Sequence, residues 1–420
     1  MAAAITPDRA LPRYESPCDV RSVARIGVLF LFSPLEPAAD TRVQMLLAKS
    51  LDPSRFRVHA AADPGGPGLR SRTYEELATI PGIGLQAFAF APQLSSRRKL
   101  EQTLRLAVGG PAMLARLLAL AAFVRRRGIG IVDASSRPRD VGTGVLLAKL
   151  AAARSVIHLH TKCGPWMGPA LRWALRRADA LVGVSAFAAR SAIEDGCDPR
   201  KVHAVLNAIE PAAWDFTLDG ATARADLGLP GSAPVLVSVS RLFHWKGHSD
   251  LLRALALVRR ELPDTRLLIA GVDDPGGGTE KPGLASELRA LIASLDLGDH
   301  VSLLGYRPDV PRLMAAADVY AMPSFEEPFG LVFAEAMAMK RPVVALDNGG
   351  TPEVVAHGHT GLLSRPGDVG ALAANLLALL RDPGLRARMG ETGRARVEHH
   401  FHPARMADDT AAVYEKLVKA

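Results

Sequence analysis

The sequence predicts an α/β protein of two doubly wound, Rossmann-like domains facing a central cleft. Three observations carry this expectation. Short, continuously apolar runs alternate with helical patterns along most of the chain, as strands do in parallel sheets covered on both faces. The alternation is interrupted once, between Asn207 and Pro234, where Pro211, Gly220, Pro230 and Gly231 accompany a weak periodicity. The 420 residues, 48% apolar and 22% charged, suffice for two or three full cores.

Residues 1–24 mix proline, alanine and charge without period and read as a flexible tail. A first domain, 25–207, opens with a strand at Ile26–Phe32. It continues with strands at Arg57–Ala61, Ile129–Asp133, Val156–His160, Ala180–Val184 and Val202–Leu206. Residues 208–233 form a linker. A second domain, 234–385, has strands at Val235–Ser240, Arg266–Ala270, Val301–Leu304, Val319–Met322, Pro342–Ala345 and Gly361–Leu363. Helical patterns at Ser249–Glu261, Ala285–Leu295, Gly330–Met339 and Val369–Leu380 separate those strands. The stop Arg381-Asp382-Pro383 leads into a mostly helical tail, 386–420. No apolar run reaches the ~18 residues of a membrane span, and Ile26–Phe32 is too short for a signal peptide.

Charge is unevenly divided. The chain carries +8, with +12 in residues 1–210 and −4 in the remainder, so the first half is suited to an anionic partner. The segment Ser95–Arg127 holds eight Lys/Arg against one acid, Glu101, around the apolar stretch Leu117–Val124. Such a helix either lies on an anionic membrane surface or presents a solvated basic face. Aromatic residues make up only 5%, which argues against a base-stacking nucleic-acid surface. Cys18, Cys163 and Cys197 form no Cys-x-x-Cys site, and their odd number predicts reduced thiols and a cytoplasmic protein.

In doubly wound sheets ligands bind beyond the carboxyl ends of the strands, so chemistry is sought there. After Val235–Ser240 come Arg241 and Lys246, then Gly247 and a helix. Two cations beside a helix start suit a diphosphate, and Gly247 permits close backbone approach. After Val319–Met322 comes Glu327, with a helix opening near Phe329. Free amides at Phe329, Gly330 and Leu331 suit a phosphate oxygen. Glu335, about six residues into that helix, lies roughly 9 Å along its axis, the separation of a nucleotide's ribose from its β-phosphate. After Pro342–Ala345, Gly349 and Gly350 make a tight turn into a helix at Thr351-Pro352, a third wall of the same site.

These pieces, Glu327-Pro328-Phe329-Gly330-Leu331 through Glu335-Ala336-Met337, Gly349-Gly350-Thr351-Pro352-Glu353, Pro366-Gly367-Asp368 and Gly305-Tyr306-Arg307, resemble the retaining glycosyltransferases of family 4 (group 1), which have the GT-B architecture. The resemblance spans about residues 130–400. It implies that Arg241 and Lys246 bind and stabilise the leaving diphosphate, that Glu327 contacts donor-sugar hydroxyls, and that Glu335 holds the ribose. It further implies that Phe329, Gly330 and Leu331 contact phosphate and sugar through their amides, and that Tyr306 and Arg307 border the base. Ala178–Ser185 and Asn207-Ala208-Ile209-Glu210 resemble family elements at a strand and at the hinge. His160 matches a position lining the donor sugar; a strand-end histidine of this kind is otherwise structural, and His158 is the weaker candidate. One departure stands out: the first loop, Ser33–Arg42, lacks the family's Gly-Gly, and Arg42 is the cation available there.

The resemblance implies transfer of a sugar from a nucleotide diphosphate sugar to an acceptor hydroxyl with retention, by front-face substitution. The expected acceptor is a lipid-linked or cell-surface glycan precursor, on the inner face of a membrane touched by Ser95–Arg127. A soluble small-molecule acceptor, a nucleotide-sugar epimerase and a catalytically silent nucleotide-binding subunit are the alternatives. No Asp-x-Asp occurs, so no metal and no other cofactor is expected. By the same resemblance the helical tail packs across both domains.

Overall fold

A computed structural model describes residues 25–66, 68–90, 99–273 and 283–419, the backbone alone for 99–109. The predicted tail 1–24, Cys18 and the first residues of the basic segment at Ser95 lie outside the described residues.

The first lobe is built on β1 (Ile26–Phe32), β2 (Phe56–Ala62), a small ribbon of β3 (Gly65–Gly66) and β4 (Leu69–Arg70), then β5 (Gly84–Ala87), β6 (Ile129–Ser135), β7 (Arg154–Leu159), β8 (Ala180–Gly183) and β9 (Val202–Ala204). Apart from the ribbon these strands form one parallel sheet, ordered β5-β2-β1-β6-β7-β8-β9. The central strands are apolar throughout because helices cover both faces; Val28 to Leu31 are fully buried. β5 is the strand that sequence periodicity misses: Gly84-Leu85-Gln86-Ala87 is a half-buried edge, without the continuous apolar run of its neighbours.

The second lobe has β10 (Val235–Val239), β11 (Arg266–Ala270), β12 (Val301–Gly305), β13 (Val319–Ala321), β14 (Val343–Leu346) and β15 (Gly361–Ser364). They form a second parallel sheet, ordered β12-β11-β10-β13-β14-β15. The strand order reverses direction at β10 and β13, which is where such sheets open a ligand crevice.

Between the sheets the chain makes one turn of 3₁₀ helix at Pro211–Ala213 and a short helix at Gly220–Asp226. That helix packs on the second lobe, where Arg224 pairs with Asp318 at 2.8 Å. The last two helices divide between the lobes. Pro383–His400 buries Met389 and Val397 on the second, and Pro403–Lys419 buries Met406, Ala411 and Tyr414 on the first. The Tyr414 hydroxyl donates to the fully buried Asp133 carboxylate at 2.6 Å, so the chain's end is bolted to the middle of the first sheet.

Candidate active site

The loop after β10 presents its two cations on aromatic supports. The Arg241 guanidinium lies 4.6 Å from the Phe243 ring centroid, and the Lys246 ammonium 4.0 Å from that of Trp245. The two rings stack at 6.1 Å. A cation over a π face loses part of its conformational freedom, which aims both charges before any ligand arrives. Sequence reasoning singled out Arg241 and Lys246 but missed Phe243 and Trp245; the alternation of cation and aromatic was the available signal. Gly247 is left-handed (φ 73°), and a Cβ there would sit 2.0 Å from the Pro323 carbonyl. The glycine thereby allows close contact between two of the protein's own loops.

Pro323 belongs to the loop after β13. Here the helix runs Leu331–Ala338, two residues later than expected, because Gly330 takes a left-handed conformation (φ 89°) as its cap. A side chain at Gly330 would strike the Phe333 ring at 2.3 Å. The amides of Leu331 and Val332 have no acceptor among the described residues, so they remain available to an anion. Phe329 is buried edge-on against Phe401, so only its backbone borders the site. Glu335 is the fifth helical residue, roughly 6 Å from the helix start rather than 9 Å. Its carboxylate has no partner among the described residues, and burial pushes it up to about 7. Glu327 is buried, and its Oε2 accepts from Lys246 Nζ at 2.5 Å. Two loops 81 positions apart thereby become one site.

Gly349 and Gly350 line this site indirectly. The Gly350 amide donates to the Glu327 carbonyl at 2.7 Å. A Cβ on Gly349 would lie 2.7 Å from that carbonyl, and one on Gly350 2.2 Å from the Pro328 carbonyl. Thr351 is fully buried as the first helical residue of Thr351–Val354, and Gly350 takes the capping position. The turn therefore buttresses the Glu327 backbone. Tyr306 is exposed after β12, two strands from β10, and Arg307 is held by Asp309 at 2.7 Å.

On the first lobe, His160 follows β7 with its ring stacked on His158 at 6.3 Å. Its Nε2 is buried with no hydrogen-bond partner among the described residues, and burial pushes the ring down to about 4. Near neutrality it is therefore uncharged, suited to hydrogen bonding rather than charge. His158 is committed elsewhere, its Nε2 2.9 Å from Asp133. Arg42, the cation of the first loop, is exposed, with its guanidinium 3.7 Å from the Glu76 carboxylate. What the sequence did not show is Asp40, gripped twice by Arg137 at 2.7 Å, and buried Asp140, pushed up to about 7 by burial beside Ser135 and Ser33. These groups converge at the carboxyl ends of β1 and β6 from positions 97 apart, a proximity no spacing reveals. Cys163 and Cys197 are buried free thiols, and burial pushes Cys163 up to about 12.

The carboxyl edges of the two sheets meet. Lys162 Nζ lies 2.6 Å from Glu326 Oε1, and the Ser185 hydroxyl donates to the Pro328 carbonyl at 2.5 Å. Among the described residues no three His, Cys, Asp or Glu side chains gather as a metal site.

Comparison with known proteins agrees with this layout. Residues 219–396 match the family model "Glycosyl transferases group 1" and residues 41–208 match "Glycosyl transferase 4-like domain". The chain is 32% identical over 261 residues to the alpha-maltose-1-phosphate synthase of Mycolicibacterium smegmatis, covering 59% of this chain and 65% of that one. It is 35% identical over 224 residues to the D-inositol 3-phosphate glycosyltransferase of Jonesia denitrificans, covering 52% of each. The chain thus spans between about half and two thirds of these relatives. The Anabaena HepE protein, solved with UDP and glucose, shares the fold with a TM-score of 0.75 and 24% identity, over 93% of this chain and all of that one.

Proposed function

From the premise that the chain belongs to the group 1 glycosyl transferases with the GT-B fold, we propose that it transfers a sugar from a nucleotide diphosphate sugar to an acceptor hydroxyl, with retention at the anomeric carbon. The observation that carries this is the Lys246–Glu327 pair, which joins the loop bearing Arg241 to the loop that leads into the open amides of Leu331 and Val332. As the glycosidic bond breaks, the leaving diphosphate gains charge. Arg241, Lys246 and the helix start stabilise it without reorganisation. Glu335, with no competing partner among the described residues, takes the ribose diol, and Glu327 takes hydroxyls of the sugar. The leaving oxygen accepts the acceptor proton on the same face. No metal or other cofactor enters this scheme, so turnover should be indifferent to a chelator.

The test is a thermal-shift screen against nucleoside diphosphates, followed by donor incubation with and without acceptor. Stabilisation by one nucleotide and acceptor-dependent release of it are expected. Conversion of donor with no acceptor would indicate epimerisation instead, and binding without turnover a silent subunit.

For the acceptor, the favoured reading is a lipid-linked or cell-surface glycan precursor met at the inner face of a membrane. No helix among the described residues is long and apolar enough to cross one. Support comes from the helices Lys99–Arg126, Pro138–Ala151 and Pro169–Arg177, whose buried residues share one core and which therefore lie side by side. Their outer faces expose Leu114, Leu118, Leu146 and Trp173, with Trp166 alongside. Arg116, Arg125, Arg126, Arg176 and Arg177 are exposed among them; Asp140, the one acid of the latter two helices, is buried. Exposed tryptophan and leucine ringed by arginine suit an anionic lipid interface. Flotation with anionic vesicles, lost on neutral vesicles or on replacing Arg125, Arg126 and Arg127, is the expected outcome. The names of the two relatives favour a second reading, a small soluble acceptor, which absence of flotation would support.

A further inference from the structure

The helix Ala186–Glu194 of the first lobe starts with an unusual partner. Its cap, Ser185, accepts from the Ala188 amide at 3.0 Å, as serine caps do. The next two amides, Ala186 and Phe187, donate not to water or to their own lobe but to both oxygens of Glu353 in the second lobe, at 2.7 and 2.9 Å. A carboxylate at a helix start is favoured by both the open amides and the helix dipole. Beside this contact, the Ser185 hydroxyl donates to the Pro328 carbonyl at 2.5 Å. The contact is walled by apolar side chains, since Val184 and Ala188 join the second lobe's core with Phe329 and Val354.

Glu353 is itself held from behind. Arg396 donates to the carbonyls of Glu353 and Val354 at 2.8 and 2.9 Å. Three residues before Glu353 lies Gly350, whose amide holds the Glu327 carbonyl. The first lobe's helix start thus grips the same short stretch, Glu327-Pro328 and Gly350 to Glu353, that fixes the sugar-binding carboxylate.

We propose that Glu353 is a positioning residue that ties the approach of the two lobes to the placement of Glu327, with Ser185 as its companion. The proposal rests on the transferase reading for its kinetic consequence, but not for its structural one. When the lobes meet in this arrangement, Glu353 and Ser185 lock the loop bearing Glu327 against the first lobe, where the acceptor side lies. When they part, the pair releases the loop and the nucleotide site on the second lobe is left intact.

The experiment compares wild type with Glu353→Ala, Glu353→Gln and Ser185→Ala. Amide hydrogen exchange at Ala186 and Phe187, read without any substrate, should accelerate in Glu353→Ala. Unchanged exchange overturns the proposal whatever the enzyme's substrate proves to be. In turnover, Glu353→Ala should lower kcat by about 10- to 100-fold, the scale of a misplacement near 1 Å. Nucleoside diphosphate affinity, measured by calorimetry on the same protein, should stay within about twofold of wild type on that reading. Glu353→Gln, keeping one acceptor oxygen, should recover part of the rate. A fall in kcat matched by an equal fall in nucleotide affinity would overturn the proposal, because it would make Glu353 a support of the second lobe alone. Ser185→Ala, a milder change, gives the same split should Glu353→Ala fold poorly. A wild-type protein without transferase activity but with the exchange effect would remove the transferase reading and leave the coupling standing.

Discussion

Lys246 Nζ donates to Glu327 Oε2 at 2.5 Å, joining the loops after β10 and β13 before any ligand is present. An ammonium has three donors, so Lys246 can keep Glu327 in place and still reach a phosphate oxygen. The pair therefore links the leaving group to the sugar hydroxyls through one side chain each.

Removing either partner should stop transfer and spare the fold. Lys246→Ala and Glu327→Ala are each expected to lower kcat by about 100- to 1000-fold, the range for losing one group aimed at developing charge. Circular dichroism should stay at wild type. A turnover number near wild type in either variant would remove the site assignment.

Nucleotide affinity should depend on pH through Glu335. Its carboxyl is pushed up to about 7, so it is largely protonated in mildly acidic solution. The ribose diol donates to the ionised form, so binding favours proton release, and affinity rises with pH until the group is fully ionised. Titrations from about pH 6 to about pH 8 should show that rise, and Glu335→Gln should flatten it. The informative quantity is the difference between the two proteins, because the terminal phosphate of a nucleoside diphosphate titrates in the same region.

Gly247→Ala should destabilise the second lobe by about 1–3 kcal/mol, since left-handed backbone and a clash both oppose a side chain. The clash is with the Pro323 carbonyl, at 2.0 Å from the added Cβ. Chemical denaturation measures it, and an unchanged midpoint would show that the two loops separate freely.

Tyr414→Phe should cost about 1–3 kcal/mol, the range for leaving a buried acceptor short of a donor. Asp133 is fully buried and takes hydrogen bonds from Tyr414, His158 and Gln44. Loss of the hydroxyl loosens the final helix from the first lobe, which limited proteolysis near Pro403 would reveal. Unaltered cleavage would assign the helix's attachment to its apolar contacts alone.

How far the molecule was legible depended on where each constraint resides. Ile26–Phe32 and Val235–Val239 announce themselves because a strand covered on both faces must be apolar along its whole length. Gly84–Ala87, at the edge, is under no such demand and left no signal. Arg241, Lys246, Glu327 and Glu335 stood out because charge directly after, or one helix turn beyond, a buried strand has few reasons to be there. The partnership of Lys246 with Glu327 was not visible, and neither were Asp40 with Arg137 or Glu353 with the Ala186 helix start. Each is a contact between distant segments, fixed by sheet order and by the meeting of the lobes rather than by local pattern. Gly247, Gly349 and Gly350 each also make room for a carbonyl of the protein's own neighbouring loops, a demand that local pattern does not reveal.

The most direct test of the account is a crystal of the protein soaked with the nucleoside diphosphate that stabilises it. The diphosphate should lie within about 3 Å of the Arg241 guanidinium, Lys246 Nζ and the amides of Leu331 and Val332, with the ribose hydroxyls on Glu335. A nucleotide seated elsewhere, or one whose phosphates leave Lys246 and the Leu331 helix start untouched, would contradict it.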